Sequence, residues 1–478
     1  MGARGARRWR ALRLPMVVTL ACVMAAQGLT GAAAVSEQVT TTFPGDSSGA
    51  GRVFQQPQGG LVSIGSTSVS EIWADGTQFA MVRHHVDGRL DTSFGSEGTV
   101  LLPVRPQEER TASTVMLDDG RIVTLSDRGI RGGFIVHRFR DDGSLDHSFG
   151  DDGLATFGFD PDADDGAPRR VEEPGTLYAR DLVGLDDGSL FVYGTARMFG
   201  QRLFLMKVTP DGRIDQSFGV DGFVVTEVLG QDGPNFIGAG PLRELPDGSF
   251  VGVFSQDFRQ HLLRFRPDGS IDREWGDQGI ATVPGRSLRL RSMEVHGDDG
   301  HLLLSASLTG DSAVAAAVLR VTPDGGLDTR FADGGQLTMP HLEVAPMLAV
   351  GPAGTFVATT NNPTEVRRYD SRGQLLERYS SAASLVFTPL VLDDFRIVVP
   401  GSTSLDSGGS FSLEWFGTKR TPSPSGFMDV GGTTHEPGIT AVADAGFVGG
   451  FADGTFRPGE PVSRGQLATI VARAFELP

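Results

Sequence analysis

One nine-residue stretch constrains this chain more than any other. "DGRLDTSFG" at 87–95 returns as "DGSLDHSFG" at 142–150 and "DGRIDQSFG" at 211–219. Altered copies follow at 268–276 ("DGSIDREWG") and 324–332 ("DGGLDTRFA"). The glycines of the Asp-Gly pairs are Gly88, Gly143, Gly212, Gly269, Gly325 and a degraded Gly373, so the steps are 55, 69, 57, 56 and 48 residues. A period of this size marks one supersecondary unit copied and stacked, each copy burying its neighbour's apolar face.

A second punctuation alternates with the first: Gly60, Gly120, Gly188, Gly248, Gly300 and Gly354, then Phe395 in "LDDFRIVV". Short apolar runs flank each, among them "LVSIG", "RIVTL" and "SLFVYG". Asp-Gly between β-branched and aromatic runs predicts a hairpin. Each unit then reads as four strands: one after the motif ("GTVLLPV"), two in the hairpin, and a fourth before the next motif ("FAMVRHH"). That fourth strand is almost continuously apolar, as expected of a strand buried on both faces. Four short strands per unit is a β-propeller blade. The expected fold is mainly β, with about seven blades, six or eight remaining open because the last units are worn. The seventh unit stops after "GSFSLEWFG" (409–417), one strand short, and "EQVTTTFPG" (37–45) resembles the missing strand. An N-terminal strand in that place would close the ring and remove its open edge.

Within the motif, Asp-Gly supplies a turn of positive φ. Asp91, Asp146, Asp215, Asp272 and Asp328 follow three residues on, placed to accept backbone N–H groups and fix the bend. Phe94, Phe149, Phe218, Trp275 and Phe331 supply one large apolar plug per blade, and Gly98, Gly153, Gly222, Gly279 and Gly335 the next tight turn. A base recurs five residues before the motif glycine, at Arg83, Arg138, Lys207, Arg264, Arg320 and Arg368, where it can pair with the motif acid. In the sixth unit the acid position holds Leu376. Five copies of one constellation read as structure, since a catalytic site needs one special constellation. The pattern "DGxxDxSFGxxG" resembles the delta-60 repeat over roughly residues 50–400. That resemblance implies a propeller-like array in an exported bacterial protein and no particular activity.

The N-terminus carries Arg4, Arg7, Arg8, Arg10 and Arg13, then the apolar run "PMVVTLACVMAA" (15–26), then Ala32-Ala33-Ala34. This is the pattern of a secretory signal peptide, expected to span 1–34. The only cysteine, Cys22, lies in that run, so a processed chain holds no disulfide and no thiol nucleophile. The formal net charge of −17 argues against a nucleic-acid partner, whose phosphates would be repelled.

The ring is expected to occupy 35–416. A Pro/Ser/Thr linker follows at 417–426 ("TKRTPSPSG" within it), and then the pattern changes. "ITAVADAG" (439–446) has helical spacing, with Ile439, Val442 and Ala443 on one face. "SRGQLATIVARAFEL" (463–477) predicts a second helix, opened by the Ser463/Gln466 capping pair and buried along Leu467, Ile470, Val471, Ala474 and Phe475. Phe427-x-Asp429-Val430, Gly446-Phe447-x-x-Gly450, Asp453-Gly454-x-Phe456-x-Pro458 and Val462 to Gln466 together resemble the S-layer homology (SLH) motif. The resemblance implies that 427–478 is a small α-helical module anchoring the chain non-covalently to cell-wall polysaccharide. It implies that Arg464 contacts the glycan, a role suited to a guanidinium near a helix N-terminus. Such motifs usually come in threes and this chain has one, which points to trimerisation or to anchoring that is weak or lost.

No nucleophile elbow, P-loop or HExxH pattern occurs, and the histidines are scattered. Asp160, Asp162 and Asp164 alternate as in a calcium loop, but Gly166 falls one place late and the closing acid is missing, so a solvated insertion is the better reading. No cofactor is expected. The sequence therefore predicts a wall-associated propeller that binds or scaffolds an unidentified protein or glycan. The competing reading is an extracellular glycan-acting enzyme with its site on the central face.

Overall fold

In the computed structural model the described residues are 18–21, 37–43, 47–69, 76–102, 110–127, 133–158, 176–197, 201–226, 238–257, 259–285, 288–309, 314–340, 342–405, 408–417 and the isolated positions 439, 442, 443, 448 and 456. They form seven antiparallel sheets arranged as the blades of a ring. Blade one is Ser47–Gln55, Leu61–Val69, Gly76–His84 and Thr99–Leu102, paired in chain order. Blade two is Arg110–Met116, Ile122–Asp127, Phe134–Phe139 and Leu154–Phe157, and blade three is Thr176–Gly184, Leu190–Arg197, Gln201–Val208 and Phe223–Thr226. Blade four is Gly238–Glu244, Phe250–Gln256, Arg259–Phe265 and Ile280–Thr282, and blade five is Leu288–His296, His301–Thr309, Val314–Val321 and Gln336–Met339. Blade six is Met347–Val350, Phe356–Asn361, Thr364–Tyr369 and Leu375–Ser380.

Blade seven is assembled from both ends of the ring. Its inner edge is Leu385–Val386 and Leu390–Val391, then come Ile397–Leu405 and Gly408–Phe416, and Glu37–Thr42 pairs antiparallel outside them. The register sets Val39 against Leu413 and Gln38 against Glu414. The sequence expectation of an N-terminal closing strand is met, and Val39 is buried with Leu413 and Trp415. A further strand, Val18–Ala21, pairs with the outside of Glu37–Thr42.

The first strands of successive blades touch one another, so they stand innermost and the strand after each motif lies outermost. The motif is therefore the connection between the third and fourth strands of one blade. The third strand of blade two, "FIVHRF", is buried at every position, as its apolar run predicts. Core clusters span neighbouring sheets: Phe134, Phe149 and Val136 of blade two pack with Leu177, Val192 and Phe204 of blade three.

Every motif aromatic is buried, Phe94, Phe149 and Phe331 at 0% exposure and Trp275 and Phe218 at 6% and 7%. Each plug lies under the Asp-Gly turn of the following blade. A β-carbon on Gly269 would fall 2.2 Å from the Phe218 ring, and one on Gly325 would fall 2.9 Å from Trp275. Backbone bonds complete the seam: Gly95 N donates to Asp142 O, and Gly150 N to Asp211 O, both at 2.8 Å. The recurrent sequence thus closes one blade and docks it on the next.

The expected base–acid pairs form. Arg83 Nε reaches Asp91 Oδ2 at 2.8 Å and Arg138 Nε reaches Asp146 Oδ2 at 2.8 Å. Arg320 pairs with Asp328, and Lys207 Nζ stands 3.5 Å from Asp215. The second carboxylate oxygen accepts the following serine: Ser93 N and Oγ donate to Asp91 Oδ1 at 3.0 and 2.6 Å. The guanidiniums of Arg83, Arg138 and Arg320 also lie over the plugs Phe94, Phe149 and Phe331. In blade four Arg264 turns to Asp247 of the inner hairpin and stays 3.6 Å from Asp272. In blade six Leu376 leaves the acid position empty, and Glu377 takes the role, 2.9 Å from Arg368. The ladder shifts register beside Arg368, which brings Glu377 opposite it.

Candidate functional site

A set of polar groups that does not repeat lies on the inner strands. Five of them carry a register irregularity near the same depth: between Ala50 and Arg52, Thr111 and Ser113, Ala179 and Asp181, Ala239 and Leu242, and Leu290 and Ser292. A bulge adds a residue, bends the strand and re-aims the side chains beyond it. Here it delivers a charged or hydroxyl group in blades one, two, three and five, and Arg243 lies one place on in blade four.

These groups join into a polar girdle. Ser113 Oγ donates to Asp181 Oδ1, linking blade two to blade three. Asp181 also accepts from Leu182 N at 3.0 Å and Leu242 N at 2.9 Å. Arg243 Nη1 donates to Asp181 Oδ2 at 3.0 Å, and its Nη2 to Glu294 Oε1 at 3.2 Å, tying blades three, four and five together. Arg52 Nη1 donates to Thr114 O at 3.1 Å across the seam of blades one and two. Blades six and seven join through Asn361, whose Nδ2 donates to Val386 O at 2.9 Å while its Oδ1 accepts Val386 N at 2.7 Å.

The electrostatics follow burial and pairing. Burial lowers the basicity of Arg243, but the carboxylates of Glu294 and Asp181 outweigh it and hold the group firmly protonated. Arg52 is lowered, by burial first and by the like charge of Arg243 second, against the opposing pull of Glu294 and Asp181. Asp181 is saturated, with two backbone amides, a hydroxyl and a guanidinium. Ser113 faces that carboxylate and not an imidazole, so the girdle does not assemble a serine nucleophile with a histidine base.

The repeat residues anticipated as structural stand at the blade seams, outside the girdle. The girdle itself has no signature in the sequence: Arg52, Asp181, Arg243 and Glu294 follow no period, and the last three share their strands with Arg180, Glu244, Arg289 and Arg291. Asp160, Asp162 and Asp164 lie outside the described residues, as does Arg464. Among the described residues no cluster of three or more His, Cys, Asp or Glu is placed to hold a metal ion. Within 427–478, Ile439 is buried with Ala443 and Phe456 packed on it, joining two of the expected helix-face positions to the Phe456 of the loop signature.

Several solved structures resemble the ring. A structure described as the Dos1 propeller matches with 11% identity and a TM-score of 0.43, covering 78% of this chain and 94% of that one. A protein from Lactobacillus plantarum matches with 14% identity and a TM-score of 0.40, covering 72% and 88%. A protein of unknown function from Bacteroides caccae matches with 11% identity and a TM-score of 0.36, covering 64% and 91%. The seven-blade assignment rests on the strand pairing and not on these likenesses. No curated protein matches the chain. Residues 426–468 match the family model of the S-layer homology domain, a stretch that includes the Arg464 position.

Proposed function

We propose that this is an exported protein whose propeller is a binding or scaffold module, held to cell-wall polysaccharide by its C-terminal segment. The observation that carries the reading is the S-layer homology match at 426–468, which lies beyond the last ring strand. Domains of this family generally attach to cell-wall polysaccharide. Arg464 is the residue assigned to the glycan.

Export is supported by the closing strand. Six blades have four strands, and Glu37–Thr42 gives blade seven its outermost strand. Val18–Ala21 lies beyond it as an addition to the pattern. Cleavage after Ala34 would remove that addition and leave the closing strand whole. The five motif copies, each folded as the same turn and plug, support a place among delta-60 repeat proteins.

Co-sedimentation with purified wall polysaccharide tests the anchoring. The full chain should pellet, and a chain lacking 427–478 should stay in solution. Equal pelleting of the two would overturn the reading.

A further inference from the structure

We propose that the ring opens at one place, where Glu37–Thr42 parts from Gly408–Phe416 while blades one to six stay joined. The device needs neither the wall nor a ligand.

The path of the chain permits it. Glu37–Thr42 and Gly408–Phe416 are the two ends of the ring, paired side by side, so no connection between blades breaks when they separate. Glu37–Thr42 is fastened to blade one. Thr41 Oγ1 lies 3.2 Å from His84 Nε2, and a β-carbon on Gly88 would fall 2.9 Å from Val39. The chain then continues into Ser47–Gln55, the innermost strand of blade one. Opening therefore divides blade seven, and its outermost strand leaves with blade one.

The surfaces freed by this division are poorly paired. Gln38 Nε2 on one strand and Trp415 Nε1 on the other are buried without a hydrogen-bond partner. So are Ser63 Oγ, Thr67 Oγ1 and His84 Nδ1 of blade one. Ser63 and Thr67 share a strand face with Leu61, which packs with Leu413 and Trp415 of blade seven. Among the described residues, blades two, three and five hold no such atom. A buried donor or acceptor left unpaired costs about 1–3 kcal/mol, and water supplies the missing partner once the faces separate.

The other seams are fastened where this one is not. In three of them the carbonyl two residues before the Asp-Gly glycine accepts from the recurrent arginine of the preceding blade. Asp141 O accepts from Arg83 Nη1 at 2.8 Å, Pro210 O from Arg138 Nη1, and Ser371 O from Arg320 Nη1. From blade four it is Trp275 Nε1 that donates, to Pro323 O at 2.7 Å. Blades three and four are joined through Tyr193 Oη, which donates to Val253 O at 3.1 Å, and blades six and seven through Arg368 Nη2 and Phe395 O. At the closure the corresponding carbonyl, Val86 O, is reached by Arg396 Nη1 at 3.4 Å. Trp415 stands under the Gly88 turn as Trp275 stands under Gly325, yet its N–H finds no acceptor. The closure is thus the seam with the lowest free energy of local opening.

Native-state hydrogen exchange of the full chain, followed by mass spectrometry, tests this. The amides that join 37–42 to 408–416 should exchange at least about tenfold faster than those of Phe134–Phe139, through an opening smaller than global unfolding. Thr67→Val and Ser63→Ala each remove one unpaired hydroxyl and should slow that exchange by about fivefold or more. The two variants cover the case in which one of them fails to fold. Equal protection of all seven blades, earliest exchange at another seam, or wild-type exchange of 37–42 in the folded variants would overturn the proposal.

Discussion

Phe94 of blade one fills the space above Gly143 of blade two: a β-carbon there would come 2.7 Å from the Phe94 ring, and Gly143 has φ +85°. The contact recurs at Gly212 over Phe149 and Gly373 over Phe331. It explains why the motif keeps its glycine and its aromatic residue together although they touch different blades.

Gly143→Ala should accordingly destabilise the ring by about 2 kcal/mol, combining the strain of a positive φ with overpacking against a buried ring. Gly59→Ala, also at positive φ but with open space around it, should cost less. Denaturant titration of both variants measures the difference; equal losses would remove the seam contact from the account.

The motif pairs should differ in strength with burial. Arg138 and Asp146 are 3% and 7% exposed at 2.8 Å, whereas Lys207 and Asp215 are 24% and 20% exposed at 3.5 Å. Asp146→Asn strands a buried guanidinium and should cost about 3 kcal/mol or more, Asp215→Asn about 1 kcal/mol. Double-mutant cycles measure both couplings. A larger coupling at 207/215 would contradict the burial argument.

Much of this was legible because it repeats. Asp-Gly hairpins, plugs and base–acid pairs occur several times, and copies separate the constrained positions from the free ones. Even the closing strand could be read, since the seventh unit lacked what the N-terminus resembles. Blade six was less legible: its third and fourth strands join by a tight turn at 370–374, and the register shift beside Arg368 moves the paired acid to Glu377. The girdle was not legible at all. Arg52, Asp181, Arg243 and Glu294 each occur once, at bulges whose added residue no period reveals, and their partners lie on other blades.

Acid should loosen the ring in a defined window. Burial holds the imidazoles of His84 and His137 down at about 4, from an ordinary value of 6.5. Their folded forms bind fewer protons than the unfolded chain in between. The stability they contribute is whole above pH 6.5 and falls as pH drops through 4. His84 reaches Thr41 of the closing strand at 3.2 Å, so loss of His84 packing bears on closure. Melting temperature against pH should fall less steeply over this window in His137→Gln; an unchanged slope would exclude that residue.

Glu414 should act in the opposite direction. It is buried on blade seven, and burial raises its carboxyl despite hydrogen bonds from Ser381 Oγ at 2.6 Å and Ala382 N at 2.9 Å. A raised folded value makes its contribution whole at low pH and lost as pH rises through that value. Glu414→Gln cannot ionise and should flatten the alkaline side of the stability curve. A curve unchanged by the substitution would mean that Glu414 carries none of that dependence.

The closing strand should be indispensable where its predecessor is not. A chain beginning at residue 35 keeps Glu37–Thr42 and should melt cooperatively as the full chain does. A chain beginning at residue 43 loses Val39 from the core and exposes Gly408–Phe416 as an edge, and should unfold at markedly lower temperature by circular dichroism. Equal melting of the two would show that the ring closes some other way.

The attachment claim is tested most directly by the affinity of the full chain for purified cell-wall polysaccharide, measured beside Arg464→Ala and the chain lacking 427–478. The full chain should bind saturably, Arg464→Ala at least about tenfold more weakly, and the truncated chain not at all. Saturable binding of equal affinity by the truncated chain would contradict it.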